Sequence, residues 1–504
     1  MNEYLANSNT VVSRINGKDY FGELKKNSPE YSLTLWGHDV IVSTIGYKLP
    51  EQLHCTFKDL KKATLIGLST RSSGCYSKEH SIGNYQKSYF CEIYPSHIII
   101  GDRHIDIGHK FESLTFVTSH STKLFHDSLS FRTIIHSSKE KVAQLIKEDL
   151  EESRLLYGHE FSDDEIKVGE RPILSLYSGA DEICTFTTKL GSITICNNPE
   201  YSFPSSHGYS LKNKVSCSIK FPNALSFEEA NKKLQPVKSV FELIIGCKLQ
   251  VIDYQLHSAT TVDDIDIYNV HENFASNAIE DVTNPHPAQR LISIETDKAQ
   301  FISVVTNWLA KADSWNNARW QFFSAFFDKS YSTDRLIKSA NMFDIIPDDA
   351  YGKKTLLNSD LEQAKNKCRE IFKALPDSIE RQSILGALGR IGTKTLKHKI
   401  RMRADVILKP PAFDMAEIDL VIAHSVDCRN YFVHGGTPKF DYYENFDLII
   451  FFTDTLNFIY GVSELIEAGW SLTDWLSKRP MHHPFKNYLD TYDFNLTKLK
   501  AIVP

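Results

Sequence analysis

The feature that most constrains this chain is a change of hydrophobic period at Thr283-Asn284-Pro285-His286-Pro287. Before it, apolar residues come in short β-type runs; after it, they recur at helical spacing up to the C-terminus. A segment with two prolines suits neither a helix interior nor a central strand, so the chain divides there into two domains, residues 1–285 and 286–504. A chain of 504 residues agrees, being too long for one ordinary core at roughly 150 residues per domain. The class is α+β: a β-rich, sandwich-like front half followed by an all-α helical bundle.

In the front half the runs 20–24, 31–36, 64–69, 89–94 and 97–100 are separated by turn clusters such as Lys26-Asn27-Ser28-Pro29 and Ser72-Ser73-Gly74. The same texture resumes at 173–176, 183–189, 192–196 and 215–221, after a charged helical segment at 138–157. The expected form is a sandwich or two stacked sheets. One helix stands inside it: Ser226 caps Phe227-Glu228-Glu229, and Ala230, Leu234, Val237, Val240, Phe241 and Ile244 follow at helical spacing. That spacing predicts a helix covering one sheet.

Charge and cysteine content narrow the function classes. A formal net charge of −6 excludes a globally basic protein held on nucleic acid by counterion release, so any RNA contact needs a local basic patch. The nine cysteines are scattered, with no C-x-x-C pair, and read as reduced thiols rather than staples or zinc ligands. The opening MNEYLANSNT lacks a basic start followed by an apolar run, and no stretch reaches the roughly 18 uncharged apolar residues of a membrane span. The expectation is a cytoplasmic protein with no membrane contact.

The sharpest local signal is Asp427-Cys428-Arg429-Asn430-Tyr431-Phe432-Val433-His434-Gly435-Gly436, which ends a helical pattern beginning near Asp414. Its apolar stripe of Ile418, Val421, Ile422, Ser425, Cys428 and Phe432 fixes the direction of the polar residues. At about 100° per residue, Asn430 and His434 share a face with Asp427 one turn before, while Arg429 lies nearer the core edge. Gly435-Gly436 and Pro438 stop the helix, leaving His434 in the last turn, where the helix dipole favours the imidazolium. The next apolar pattern, residues 444–467, is placed to pack back antiparallel across this helix.

R-N-x-x-x-H at a helix end, inside an all-helical C-terminal half, resembles the R-x(4-6)-H motif of HEPN ribonucleases. The β-rich half, with FGELKKNSPEYSLTLWG early and LSFEEANKKL late, resembles the domain that precedes HEPN in the ApeA type of anti-phage protein. The resemblance implies RNA cleavage with no metal and no cofactor, in which a ribose 2′-OH attacks the adjacent phosphate. His434 then moves a proton at the ribose or leaving oxygen, Arg429 neutralises charge on the phosphorane, and Asn430 orients the histidine or the phosphate. It also implies a homodimer through the HEPN domain, with the motifs of two copies facing one cleft. The implied setting is abortive defence: cutting tRNA or another single-stranded loop shuts down translation, and the front domain senses a phage-derived trigger.

Residues 390–403, RIGTKTLKHKIRMR, carry six Lys or Arg, one His and no acid. As a single helix they would align Arg390, Lys394, Lys397 and Arg401 in an RNA-binding stripe, against the plainer reading of a solvated face. For the motif itself, the plainer reading pairs Arg429 with Asp427 or Asp454 and makes His434 a helix cap. The bundle is then a non-catalytic HEPN scaffold for RNA, a nucleotide or a partner protein. A third reading gives the front half a carbohydrate or peptide ligand and leaves the helices as an oligomerisation module. Trp308, Trp315, Trp320, Phe322, Phe323, Phe326 and Phe327 read as interhelical core rather than a base-stacking platform. His482-His483 looks metal-like but has no partners at ligand spacing.

Overall fold

The computed structural model describes residues 9–503 except 16, 28–29, 39–48, 82–83, 136, 159–161, 163–165, 203–205, 260–264, 274–283, 352–357 and 408–413. Ser28, Pro29 and Thr283, named above in turn and boundary segments, lie outside the described residues. The chain forms two compact units: Met1–Lys233 with Leu249–Asn284, and Leu234–Lys248 with Pro285–Pro504.

The first unit carries strands β1 (Asn9–Ile15), β2 (Lys18–Asn27), β3 (Glu30–Gly37), β4 (Gln52–Phe57), β5 (Lys62–Ile66), β6 (Ser69–Ser81), β7 (Asn84–Tyr94), β8 (His97–Gly101) and β9 (Phe111–Thr118). After these come β10 (Phe131–Ile134), β11 (Leu174–Tyr177), β12 (Glu182–Thr188), β13 (Gly191–Tyr201), β14 (Leu211–Leu225), β15 (Val251–Ala259) and β16 (Ile265–Glu272). Fourteen of them join one sheet in the order β12-β13-β14-β9-β15-β16-β8-β5-β4-β1-β2-β3-β7-β6, and β10 pairs separately with β11.

Antiparallel register stacks alternate side chains into rows across this sheet. One row runs Ile100, Ala63, Cys55, Ser13, Tyr20, and the next runs Phe57, Val11, Gly22, Leu35, Cys91. The apolar members of these rows other than Gly22, with Leu24, Leu33 and Ile93, belong to a core whose buried residues all come from strands. A single face makes a closed core only if the sheet bends back on itself, and Asn273 shows where it does. Its amide mimics a peptide, donating to the Tyr31 carbonyl at 2.7 Å and accepting from the Tyr31 N–H at 2.8 Å, while its own N–H reaches Ser96 O at 2.8 Å. Tyr31 is the second residue of β3, which stands six places from β16 in the strand order, and Asn273 directly follows β16, so the sheet curls until the two strands meet. The two stacked sheets expected from the strand texture are therefore one curled, hydrogen-bonded sheet.

Helices α1 (Ser121–Leu124) and α2 (Lys139–Tyr157) also belong to this unit; α2 is the expected charged helix, is capped by Ser138 and buries none of its residues. Helix α3 (Phe227–Ile245) opens with a capping box, in which Glu229 accepts from the Ser226 N–H at 2.9 Å and from its hydroxyl at 2.8 Å. From Leu234 onward it belongs to the helical unit, with Phe241 stacked 6.2 Å from Phe301.

The helical unit continues with α4 (Lys298–Ala310), α5 (Ala312–Phe326), α6 (Thr333–Asn341), α7 (Ser359–Lys373), α8 (Ile379–Arg390), α9 (Leu396–Ile407), α10 (Met415–His434), α11 (Phe446–Glu467), α12 (Leu472–Ser477) and α13 (Pro484–Ile502). Helix α11 is the centre, packed against α6, α9, α10 and α13. It is long and apolar enough to cross a membrane, yet 83% of that apolar window is buried, as in the core helix of a bundle. Its charges are matched from neighbouring helices: Arg319 donates to Glu464 at 2.7 Å, and Arg403 to Glu467 at 2.6 Å and Ser463 at 3.0 Å. Trp308, Trp315 and Phe322 are buried as interhelical core, whereas Trp320 is 70% exposed. His483 is a buried cap rather than a ligand: its Nδ1 accepts from the Phe485 N–H and its Nε2 lies 3.1 Å from Leu243 O. All nine cysteines are free.

Candidate active site

The motif sits on α10 where the sequence predicts it. Asp414 caps the first turn, accepting from the Ala416 N–H at 2.7 Å and the Glu417 N–H at 3.3 Å. At the other end Gly435 takes φ +75°, a conformation that glycine adopts freely, and its N–H bonds Tyr431 O at 2.9 Å. Ile418, Val421, Ile422, Ser425 and Cys428 are buried. His434 is consequently held at the last turn, exposed, with no hydrogen-bond partner among the described residues.

Arg429 is half-buried and turned toward α6. Its Nε and Nη2 donate to Asn341 Oδ1 at 3.2 and 2.6 Å, and its Nη1 donates to Asn430 Oδ1 at 3.0 Å. The amide of Asn430 thus serves the arginine rather than the histidine. Pairing with Asp427 or Asp454 does not occur. Asp454 is instead engaged by the Tyr331 hydroxyl at 2.9 and 3.1 Å and lies 3.7 Å from Arg335. Burial pushes its carboxyl up to about 6 despite the nearby guanidinium. Asn341 ends α6, 88 positions before Arg429, and no spacing or motif links the two in the sequence.

The basic run does not make one stripe. It is split between α8 and α9 by Gly392 at φ +88°, and Thr395 starts the second helix by accepting from the His398 N–H at 3.3 Å. Arg390 therefore ends one helix, Lys394 lies in the connection, and Lys397 and Arg401 lie on the next. Lys394 is bound to the Tyr351 carbonyl, and Arg401 pairs with Asp419 and, at 3.6 Å, with Asp405. Arg403 is buried in the bundle. Of the four candidates, Arg390 and Lys397 are exposed, without a side-chain partner among the described residues.

Beside His434 the chain is rich in aromatic rings. Phe432 lies 5.8 Å from Tyr442 and 6.2 Å from Tyr443, and Asp441 Oδ1 fixes that turn by accepting from the Tyr443 and Glu444 N–H groups at 2.9 and 3.0 Å. One turn inward from Cys428, the His424 imidazole is shifted down by burial, with Asp427 opposing and Lys439 and Lys397 adding to the shift. Among the described residues no group of three or more His, Cys, Asp or Glu is arranged to hold a metal ion.

Among the described residues the arginine of this helix has no counterion and its terminal histidine no hydrogen-bond partner, and these are the types of group that a phosphate-directed acid–base site needs. Comparison with known families places the helix inside a matched domain. The family model described as ApeA N-terminal domain 1 matches residues 14–308, and that described as Apea-like HEPN matches residues 337–474. No curated protein and no solved structure matches the chain. With the first model spanning more than half of the 504 residues, the chain belongs to the ApeA family, proteins of anti-phage defence that join this N-terminal domain to a HEPN domain of a typically ribonucleolytic kind.

Proposed function

We propose that this protein is a metal-independent endoribonuclease of the cytoplasm, a defence effector in which Arg429 and His434 do the chemistry. The observation that carries the reading is the contrast between the two groups. Arg429 is fixed by amide oxygens with no ion pair among the described residues, and His434 is exposed at a helix end with no hydrogen-bond partner among them. In the proposed reaction an imidazole takes the proton of a ribose 2′-OH and the oxygen attacks the adjacent phosphorus. The bond to the 5′ oxygen breaks as that oxygen gains a proton, leaving a 2′,3′-cyclic phosphate and a 5′-OH. Arg429 stabilises the phosphorane charge, and removal of such a donor typically costs about 100-fold or more in rate.

The spacing of the two residues supports a homodimer. Five residues apart on a helix, they differ by about 7.5 Å in height and about 140° in direction, so one copy does not aim both at one phosphate. Two copies facing each other across a cleft supply arginine and histidine from opposite sides. A flexible single-stranded loop, such as that of a tRNA, suits the site because in-line attack needs a mobile sugar and phosphate. The N-terminal domain would then hold the activity in check until a phage-derived trigger arrives.

The test is controlled expression of wild type and His434→Ala, with and without phage, followed by mapping of RNA ends. Growth arrest with cyclic-phosphate ends from wild type alone supports the nuclease. Identical behaviour of the two proteins, with no cut RNA in infected cells, rejects it in favour of a HEPN scaffold that binds RNA, a nucleotide or a protein.

A further inference from the structure

Helix α6 contributes a residue to this site that no motif predicts. In the helical unit, the other buried or half-buried arginines, Arg290, Arg319, Arg335, Arg381, Arg401 and Arg403, each pair with a carboxylate. Arg429 is the exception: three of its N–H groups are committed to two neutral amide oxygens, and it forms no ion pair among the described residues. A carboxylate in place of the Asn341 amide would satisfy the same donors and hold the side chain at least as firmly. It would also cancel the charge. An amide fixes direction without compensating the cation, leaving an arginine whose unmet partner is an anion.

We propose that Asn341 is a positioning residue that aims the Arg429 guanidinium while keeping it uncompensated, so that its counterion is the scissile phosphodiester. The proposal deepens the nuclease reading and rests on it for the cleavage step. The phosphate contact itself is read separately. Asn341 bonds Arg429 through Nε and Nη2 onto one oxygen, which fixes the plane of the guanidinium and leaves its remaining N–H groups for a phosphate oxygen. Asn341 is half-buried, and Asp is nearly the same size, so the exchange of amide for carboxylate tests charge with little change of shape.

The experiment uses the full-length protein as wild type, Asn341→Asp, Asn341→Ala, Arg429→Ala and the double variant Asn341→Ala/Arg429→Ala. Cleavage of a labelled RNA is expected to fall about 100-fold in Asn341→Asp and in Arg429→Ala, the scale of a lost transition-state donor. Asn341→Ala should fall about 10-fold, because the arginine is misaimed but still charged. The double variant should match Arg429→Ala within about threefold, since a residue acting through another adds nothing once that other is gone. A merely structural Asn341 gives the opposite pattern: additive losses in the double variant, and activity retained by the near-isosteric Asp.

In parallel, each substitution is placed on His434→Ala, and affinity for a 2′-O-methyl oligonucleotide, which cannot be cut, is measured. Asn341→Asp and Arg429→Ala should weaken binding alike. If no protein cuts RNA, the nuclease reading fails and this binding comparison still decides the role of Asn341. The proposal is overturned if Asn341→Asp stays within twofold of its parent in both assays, or if Arg429→Ala does.

Discussion

Acidification should weaken the helical unit through His483, whose imidazole is held neutral by burial. The imidazole is fully buried; its Nδ1 accepts from the Phe485 N–H at 3.1 Å, so the ring proton sits on Nε2 and is donated to Leu243 O. Protonating Nδ1 would set a charged N–H against the Phe485 N–H in a fully buried site, and burial accordingly holds the group down to about 3 from 6.5. A base depressed on folding contributes stability that is complete above pH 6.5 and lost as pH falls toward 3. At pH 5 the loss is about 1.5 pH units at 1.36 kcal/mol each, or about 2 kcal/mol. His483→Asn retains a good helix cap but does not titrate. Urea unfolding of both proteins at pH 8 and pH 5 can be followed by tryptophan fluorescence, Trp475 lying 6.0 Å from the His483 ring. Wild type should lose about 2 kcal/mol more than the variant across that interval. Other buried histidines, such as His271 and His257, titrate in both proteins and cancel in the difference. If the two losses agree within about 0.5 kcal/mol, the usual error of additivity, the reasoning is wrong.

Three further perturbations test the architecture. Asn273→Ala removes two hydrogen bonds that close the curled sheet and should cost about 2–4 kcal/mol, with faster proteolysis of the N-terminal unit; an unchanged urea midpoint would mean that the curl does not depend on that amide. Glu464→Gln leaves the buried Arg319 without a full counterion and should cost about 3–5 kcal/mol in chemical denaturation, whereas the double variant Arg319→Met/Glu464→Leu should recover most of it. Charge reversal at exposed Arg390 and Lys397 should lower RNA affinity and flatten its salt dependence, while Arg401→Glu should act on stability through Asp419; equal effects on RNA from all three would revive the single-stripe reading.

What the sequence reveals here follows from the range of the interaction concerned. Helix ends depend on a few neighbouring residues, so Asp414, Ser226, Ser138 and Gly435 mark them correctly. Strand alternation is equally local, but its period of two is the same in a sandwich and in a curled single sheet. The choice between them rests on Asn273 meeting Tyr31 across 242 positions, which no window detects. The basic run fails for a different reason. Gly392 and Thr395 are ordinary stop and start signals, and they break the backbone within a stretch whose charge spacing alone suits one helix.

For the site, sequence identifies the groups and tertiary structure decides their state. An arginine in a helical protein is by default a partner for an acid, and Asp427 and Asp454 were at hand in sequence to neutralise Arg429. The fold gives Asp454 to Tyr331 and Arg335 and leaves Arg429 to amides. That allocation is what the proposed role of Arg429 requires, since an ion pair already formed must be broken before phosphate can bind, at several kcal/mol when buried. Asn341 and Asn430 impose no such cost. The two histidines differ in the same way: His483 is enclosed and held neutral far below physiological pH by burial, whereas His434 is exposed at the last turn of its helix, which is where the proposed proton transfer requires a histidine that RNA can reach.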